Sequence, residues 1–166
     1  VIDLSPGGVG EQLFDFGMQS GRTRLEAAGK LGIPQVISMC KVNIGSPTSR
    51  NYRKHPEYYE RKQYAYDEAR TFIRLSKDEL ILVADTMADK LNKSRAPIKV
   101  VIPLGGWSAI DKRGTDFYDA ELDRVFVDEF KKRLRPDIEV REVDADLDTP
   151  EFAQAVVKAF DDIMAK

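Results

Sequence analysis

The stretch Ile98-Lys99-Val100-Val101-Ile102-Pro103-Leu104-Gly105-Gly106-Trp107-Ser108-Ala109-Ile110-Asp111 is an apolar, β-branched run that ends in two glycines, then a serine and an aspartate. Such a run reads as a buried strand, and the glycines read as a sharp turn at its carboxyl end. Two more short apolar runs, Val1 to Leu4 and Gln35 to Met39, give way to loops rich in Gly, Ser and Pro. Ligands of open α/β sheets collect just past the carboxyl ends of the strands. The pattern therefore predicts both a fold class and a place for chemistry, without naming a substrate.

Helical signals alternate with these runs. Helices are expected over Glu11 to Met18 and Thr23 to Lys30, the second ended by Gly32 and Pro34. Lys41 to Pro56 reads as irregular, Glu57 to Ala69 as a helix and Thr71 to Leu75 as a strand. Ser76 with Glu79 forms a capping box, followed by Leu80, Val83, Ala84, Met87, Ala88 and Leu91 at helical spacing. Asp119 is expected to cap a helix with Leu122, Val125, Phe126, Phe130 and Leu134 on its apolar face. Ile138 to Val143 reads as a last, edge-like strand, and Thr149 with Pro150 opens a final helix. Strands alternating with helices predict an α/β, doubly wound, Rossmann-like fold: a mostly parallel sheet of about five strands with helices on both faces.

Composition narrows the class. At 166 residues, with 42% apolar and 33% charged residues, the chain suffices for one α/β domain with a real core. A net charge of −2 argues against a nucleic-acid platform, which needs a concentrated basic face. One cysteine, Cys40, excludes an internal disulfide and fits a reducing, cytoplasmic setting. No stretch has the roughly 18 apolar residues that span a bilayer, so no membrane partner is expected. The chain opens on Val1-Ile2-Asp3-Leu4 with no methionine and no basic leader, so a piece of a longer protein is expected.

Candidate sites have two readings each. Gly105 and Gly106 permit close backbone approach to an anion, or simply a tight turn. Ser108 and Asp111 are placed to orient a polar ligand, and Trp107 is either a stacking platform or a packing residue. Pro6-Gly7-Gly8-Val9-Gly10 precedes a helix, where anions collect. Arg22, Arg24 and Glu26 open another helix as a basic clamp or as a solvated helix start. Lys41, Asn43, Ser46, Thr48 and Ser49 lie in a long polar loop, a common seat of function. Cys40 reads as a buried inert thiol. His55 is the only histidine, and Asp144, Asp146 and Asp148 lack the glycine and distal glutamate of a calcium loop, so no metal is expected.

Several motifs occur in a fixed order: Arg24-Leu25-Glu26-Ala27-Ala28, Gly32-Ile33-Pro34-Gln35-Val36-Ile37-Ser38, Pro103 through Asp111, Gly114, Phe117-Tyr118-Asp119 and Thr149-Pro150-Glu151-Phe152-Ala153. This ordered set resembles the C-terminal half of the tomato mosaic virus resistance protein-like family. The resemblance implies a two-domain protein with Rossmann-like halves, an absent N-terminal domain as partner, and a homo-oligomer. The family's plant member binds ATP, so the resemblance implies ATP or another phosphorylated or carboxylated small molecule as ligand. Gly105, Gly106, Ser108 and Asp111 match the family's glycine-rich turn. Arg24, Glu26 and Asn43 match polar positions in its earlier loops, and Arg74 matches an arginine after its third strand. This sequence departs from the family at Tyr66-Asp67 and Ala145-Asp146, where members carry histidines, and at Ser5-Pro6-Gly7-Gly8, where members are threonine-rich. Two further readings stay open: an interaction or oligomerisation module, and half of an enzyme whose site spans both domains.

Overall fold

A computed structural model of the chain describes residues 1–165. In chain order the elements are β1 (Ile2–Asp3), α1 (Gly8–Leu13), α2 (Ala27–Lys30), β2 (Gln35–Ile37), β3 (Ile44–Gly45) and α3 (Ser49–Lys54). A 3-10 turn (Pro56–Glu60), β4 (Gln63–Ala65), β5 (Thr71–Arg74), α4 (Lys77–Asn92), β6 (Ile98–Pro103) and the hairpin strands β7 (Gly106–Ser108) and β8 (Asp111–Lys112) follow. The chain closes with α5 (Ala120–Arg133), β9 (Glu139–Val143) and α6 (Pro150–Met164).

The main sheet is parallel, in the order β1-β2-β6-β9. β6 sits inside it and is apolar on both faces because both faces are covered. Val100 and Ile102 join Ile37 against Val83, Met87, Phe126 and Phe130 of α4 and α5. Val101 joins Val36 against Phe152, Val156 and Ala159 of α6. Lys99 shares the α6 side but lies at the sheet's lower end, where it pairs with Glu139 at 2.7 Å. The expected α/β, Rossmann-like arrangement with helices on both faces is present.

The helices start where their caps place them. Ser76 Oγ accepts from Glu79 N, and Glu79 Oε2 accepts from Ser76 N at 2.8 Å. Asp119 Oδ1 accepts from Leu122 N at 2.9 Å, and Thr149 Oγ1 from Phe152 N at 3.3 Å.

Four expectations are corrected. Thr71 to Leu75 does not enter the main sheet, because β2 pairs directly with β6 in the register Gln35↔Ile98; the parallel sheet therefore has four strands. β5 instead lies between β3 and β4 in a separate antiparallel sheet. Glu57 to Ala69 is a 3-10 turn and the exposed edge strand β4, not a helix. Lys41 to Pro56 holds β3 and α3, the latter opened by a capping box in which Thr48 and Asn51 hydrogen-bond reciprocally.

The early helices are shorter than expected or displaced. α1 begins at Gly8, and Gly10 lets it press on α4; a Cβ there would lie 3.3 Å from Val83 Cγ2. It stops before Asp15, which has φ +55°. Leu25, at φ +68°, confines α2 to Ala27–Lys30.

Candidate functional site at the carboxyl end of the sheet

The β6 run ends at Pro103, and the β7–β8 hairpin folds over the end of the sheet. Trp107 is the hairpin's anchor: it is buried, its Nε1 donates to Pro103 O at 2.8 Å, and its ring meets Phe126 edge-on at 5.4 Å. Packing is therefore its role.

Gly105 and Gly106 admit neighbouring backbone. A Cβ on Gly105 would lie 2.7 Å from Asp146 N, and the Gly105 N–H already donates to Ala145 O at 2.8 Å. Gly106 has φ +142°, and a Cβ there would collide with Lys112. The donor expected to face an anion at Gly105 is thus committed inside the protein.

Asn43, Arg74 and Asp111 come together beneath the hairpin, joined by Asp123. Arg74 Nη1 donates to Asp111 Oδ1 at 2.8 Å and Nη2 to Asp123 Oδ1 at 2.6 Å. Asn43 Nδ2 donates to Asp111 Oδ2 at 2.6 Å and to Asp123 Oδ1 at 2.7 Å. All four residues are buried. Burial pushes the Asp123 carboxyl up to about 6 against the pull of Arg74, and raises that of Asp111 for the same reason. This polar lock ties β5 and the residue before β3 to the hairpin and α5.

Asp123 was legible only as an oddity: it falls on the apolar stripe of α5, three residues before Phe126 and seven before Phe130. A carboxylate on such a stripe needs a buried partner.

A second buried carboxylate, Glu11, was also missed. Its oxygens accept from Ser46 N (3.1 Å), Ser46 Oγ (2.7 Å), Met18 N (3.0 Å) and Lys41 Nζ (3.0 Å). Lys41 itself takes the left-handed conformation, φ +61°, just past β2. Glu11 thereby binds the first loop to the segment after β3.

Between these two polar clusters lies a slot of about 250 Å³. Cys40 and Lys41 bound it on the β2 side, Ser108, Ala109 and Ile110 on the hairpin side, and Ile44, Phe72, Tyr66 and Arg70 on the small-sheet side. The Lys41 ammonium lies 4.5 Å from the Phe72 ring centre and the Arg70 guanidinium 4.6 Å from that of Tyr66. The Ser108 Oγ is buried without a hydrogen-bond partner. Burial pushes the Cys40 thiol up, which keeps it protonated and inert.

Arg24 and Glu26 stand elsewhere. Arg24 Nη2 donates to Asp3 Oδ1 (2.6 Å) and Ser5 O (2.9 Å). Glu26 accepts from Lys30 (2.7 Å) and Lys90 (3.1 Å), which together hold its carboxyl down at about 2. His55 sits beside Glu57 and stacks on Tyr58, away from the slot. Among the described residues no group of three or more His, Cys, Asp or Glu side chains converges to hold a metal, and no helix is long and apolar enough to cross a membrane.

Comparison with known proteins places the chain. The profile of the uncharacterised protein family UPF0261 C-terminal domain matches residues 1–164. A UPF0261 protein of Brucella melitensis biotype 1 is 32% identical over 143 residues, covering 86% of this chain and 34% of that protein. A UPF0261 protein of Clostridium tetani is 31% identical over 153 residues, covering 90% of this chain and 37% of that protein. The ToMV resistance protein Tm-1(GCR237) of Solanum lycopersicum is 29% identical over 171 residues, covering all of this chain and 22% of that protein. The chain spans about a third of the length of these bacterial relatives. It belongs to the uncharacterised protein family UPF0261, to whose C-terminal domain it corresponds.

Proposed function

We propose that this domain binds a small phosphorylated or carboxylated molecule, an adenine nucleotide such as ATP foremost, in the slot past the end of β2. The place and lining of the slot carry this reading: it is mostly apolar, lies at the end of the sheet where α/β proteins take ligands, has Lys41 and Arg70 on its border, and holds the unpartnered Ser108 hydroxyl buried in its wall. At about 250 Å³ the slot takes one planar ring and leaves the phosphates at its rim. Lys41 and Arg70 supply the countercharge there. Both are shared with carboxylates, Lys41 with Glu11 and Arg70 with Asp67, so binding should weaken as salt rises.

Isothermal titration with ATP, adenosine and inorganic phosphate tests this. ATP should bind more tightly than adenosine, and Ser108→Ala should weaken ATP binding by about tenfold, the loss of one buried hydrogen bond. Absence of heat with all three compounds, or identical binding in Ser108→Ala, overturns it. Gly105→Val is unsuited as a probe, because its side chain would strike Asp146 and Ala145.

An interaction role has its own observation. β1 is an edge strand, and Ile2, Leu4, Leu31 and Ile33 stand exposed. Self-association through that edge would appear as a dimer in sedimentation velocity and disappear in Ile2→Lys; a monomer at all concentrations removes this reading.

A further inference from the structure

We propose that β4 is a self-pairing edge: two copies of this chain join through antiparallel β4 strands, related by a two-fold axis at Tyr64. β4 is the outer strand of the small sheet, and every residue from 62 to 70 is exposed. Its ladder with β5 settles which backbone groups are free. Tyr66 N donates to Arg70 O at 2.9 Å and Arg74 N to Lys62 O at 3.4 Å, while Tyr64 stands opposite Phe72. Even-numbered residues thus aim their backbone groups at β5, so Gln63 and Ala65 aim theirs away from it. An outward row of N–H and C=O groups is a template for another strand.

Register, apolar surface and charge select a second copy as that strand. With Tyr64 on the axis, Gln63 of one copy meets Ala65 of the other, and their N–H and C=O groups exchange reciprocal hydrogen bonds on both sides of the axis. The Tyr64 rings then form a non-hydrogen-bonded pair, in which side chains lie closest. Tyr64, 41% exposed, meets the Phe117 ring at 6.3 Å, and Tyr66, 54% exposed, meets the Phe72 ring at 5.4 Å. Beneath them lies the small apolar cluster of Ile44, Phe72 and Phe117, so pairing joins two such clusters under one aromatic cover. Arg61 and Lys62 precede the strand, and Asp67 and Glu68 follow it. An antiparallel copy sets basic end against acidic end; a parallel strand of the same sequence would set like against like. Lys62, which has no ion-pair partner among the described residues, is brought to the Asp67–Glu68 end of the other copy. Further out Glu60 would face Glu68, so the pairing ends at Arg61 and Asp67. β1 belongs to the other sheet, so association through its edge is separable from this one.

Sedimentation velocity of the 166-residue chain over rising concentration should show a monomer–dimer equilibrium. Ala65→Pro removes an outward N–H and leaves the β5 ladder whole, so it should raise the dimer dissociation constant by at least about tenfold. Ile2→Lys should leave the equilibrium as it is. Cross-linking in a Cys40→Ala background reads the register. Tyr64→Cys sets its two Cβ atoms about 5 Å apart across the axis, whereas those of Lys62→Cys lie on the order of 13 Å apart. The first should therefore oxidise to a covalent dimer at least about tenfold faster than the second. A monomer at all concentrations overturns the proposal. So does a dimer that survives Ala65→Pro or that Ile2→Lys dissolves, and so do equal cross-linking rates.

Discussion

The main parallel sheet and the segment from Lys41 to Leu75 are held together by different physics. β6 lies between helices on both faces, and Val100, Val101 and Ile102 are buried in apolar clusters with side chains of α4, α5 and α6. The small sheet has short strands, and its edge strand β4 is exposed throughout. Its polar anchors reach far along the chain: Asn43 and Arg74 to Asp111 and Asp123, and Ser46 to Glu11. Non-directional burial builds the first region; the second buries Val42, Ile73 and Leu75 in the same core and adds a few directional, buried polar contacts. The proposed ligand slot lies on the second region's border with the sheet. The sheet end there meets loops that polar contacts of long sequence reach hold in register.

Substitutions should expose the contrast. The largest effect is expected from Arg74→Met, which leaves Asp111 and Asp123 buried together without a cation. Breaking a buried pair in this way costs about 3–5 kcal/mol, measurable by urea unfolding. Exchange of the β5 amides should rise before that of β6. A loss under about 1 kcal/mol would show that the lock does not hold the region.

A smaller effect concerns pH. The Asp123 carboxyl lies at about 6 folded, against 3.8 for the free side chain. The folded chain therefore holds this proton more tightly than the unfolded one. Its contribution is fully present below 3.8 and is lost as pH rises through about 6. Asp123→Asn should remove that decline, so that wild type and variant diverge across this window by about 3 kcal/mol. Parallel stability curves would contradict the lock's electrostatics.

The smallest effect belongs to the apolar region. Ser76→Ala removes the α4 cap and should cost about 1 kcal/mol, with β6 protection falling only in step with global stability. A selective loosening of the small sheet by this substitution would blur the contrast.

The same difference explains what could be read from the sequence. The three long helices announced themselves through Ser76 with Glu79, Asp119, and Thr149 with Pro150, because caps and apolar stripes are local signals. β6 was legible because a strand covered on both faces must be apolar throughout. β3 and β4 were not, since short strands carry no periodicity, and β4 has no buried face to pattern. Asn43, Arg74 and Asp111 read in the sequence as ligand-site residues, and the fold brings them together, but around one another and Asp123. Ser108 alone of the hairpin's polar residues keeps an unpartnered buried hydroxyl, in the wall of the slot. Tyr66, Arg70 and Phe72 reach the slot through a strand pairing that no local pattern encodes.

We propose the slot bordered by Cys40, Lys41, Phe72 and Ser108 as the place where this domain takes a ligand. Chemical-shift mapping of the backbone amides during an ATP titration tests it most directly. Saturable shifts should cluster at residues 40–41, 70–72 and 108–110, with little change in α6. Saturable shifts centred elsewhere, or none at millimolar ATP, would contradict it.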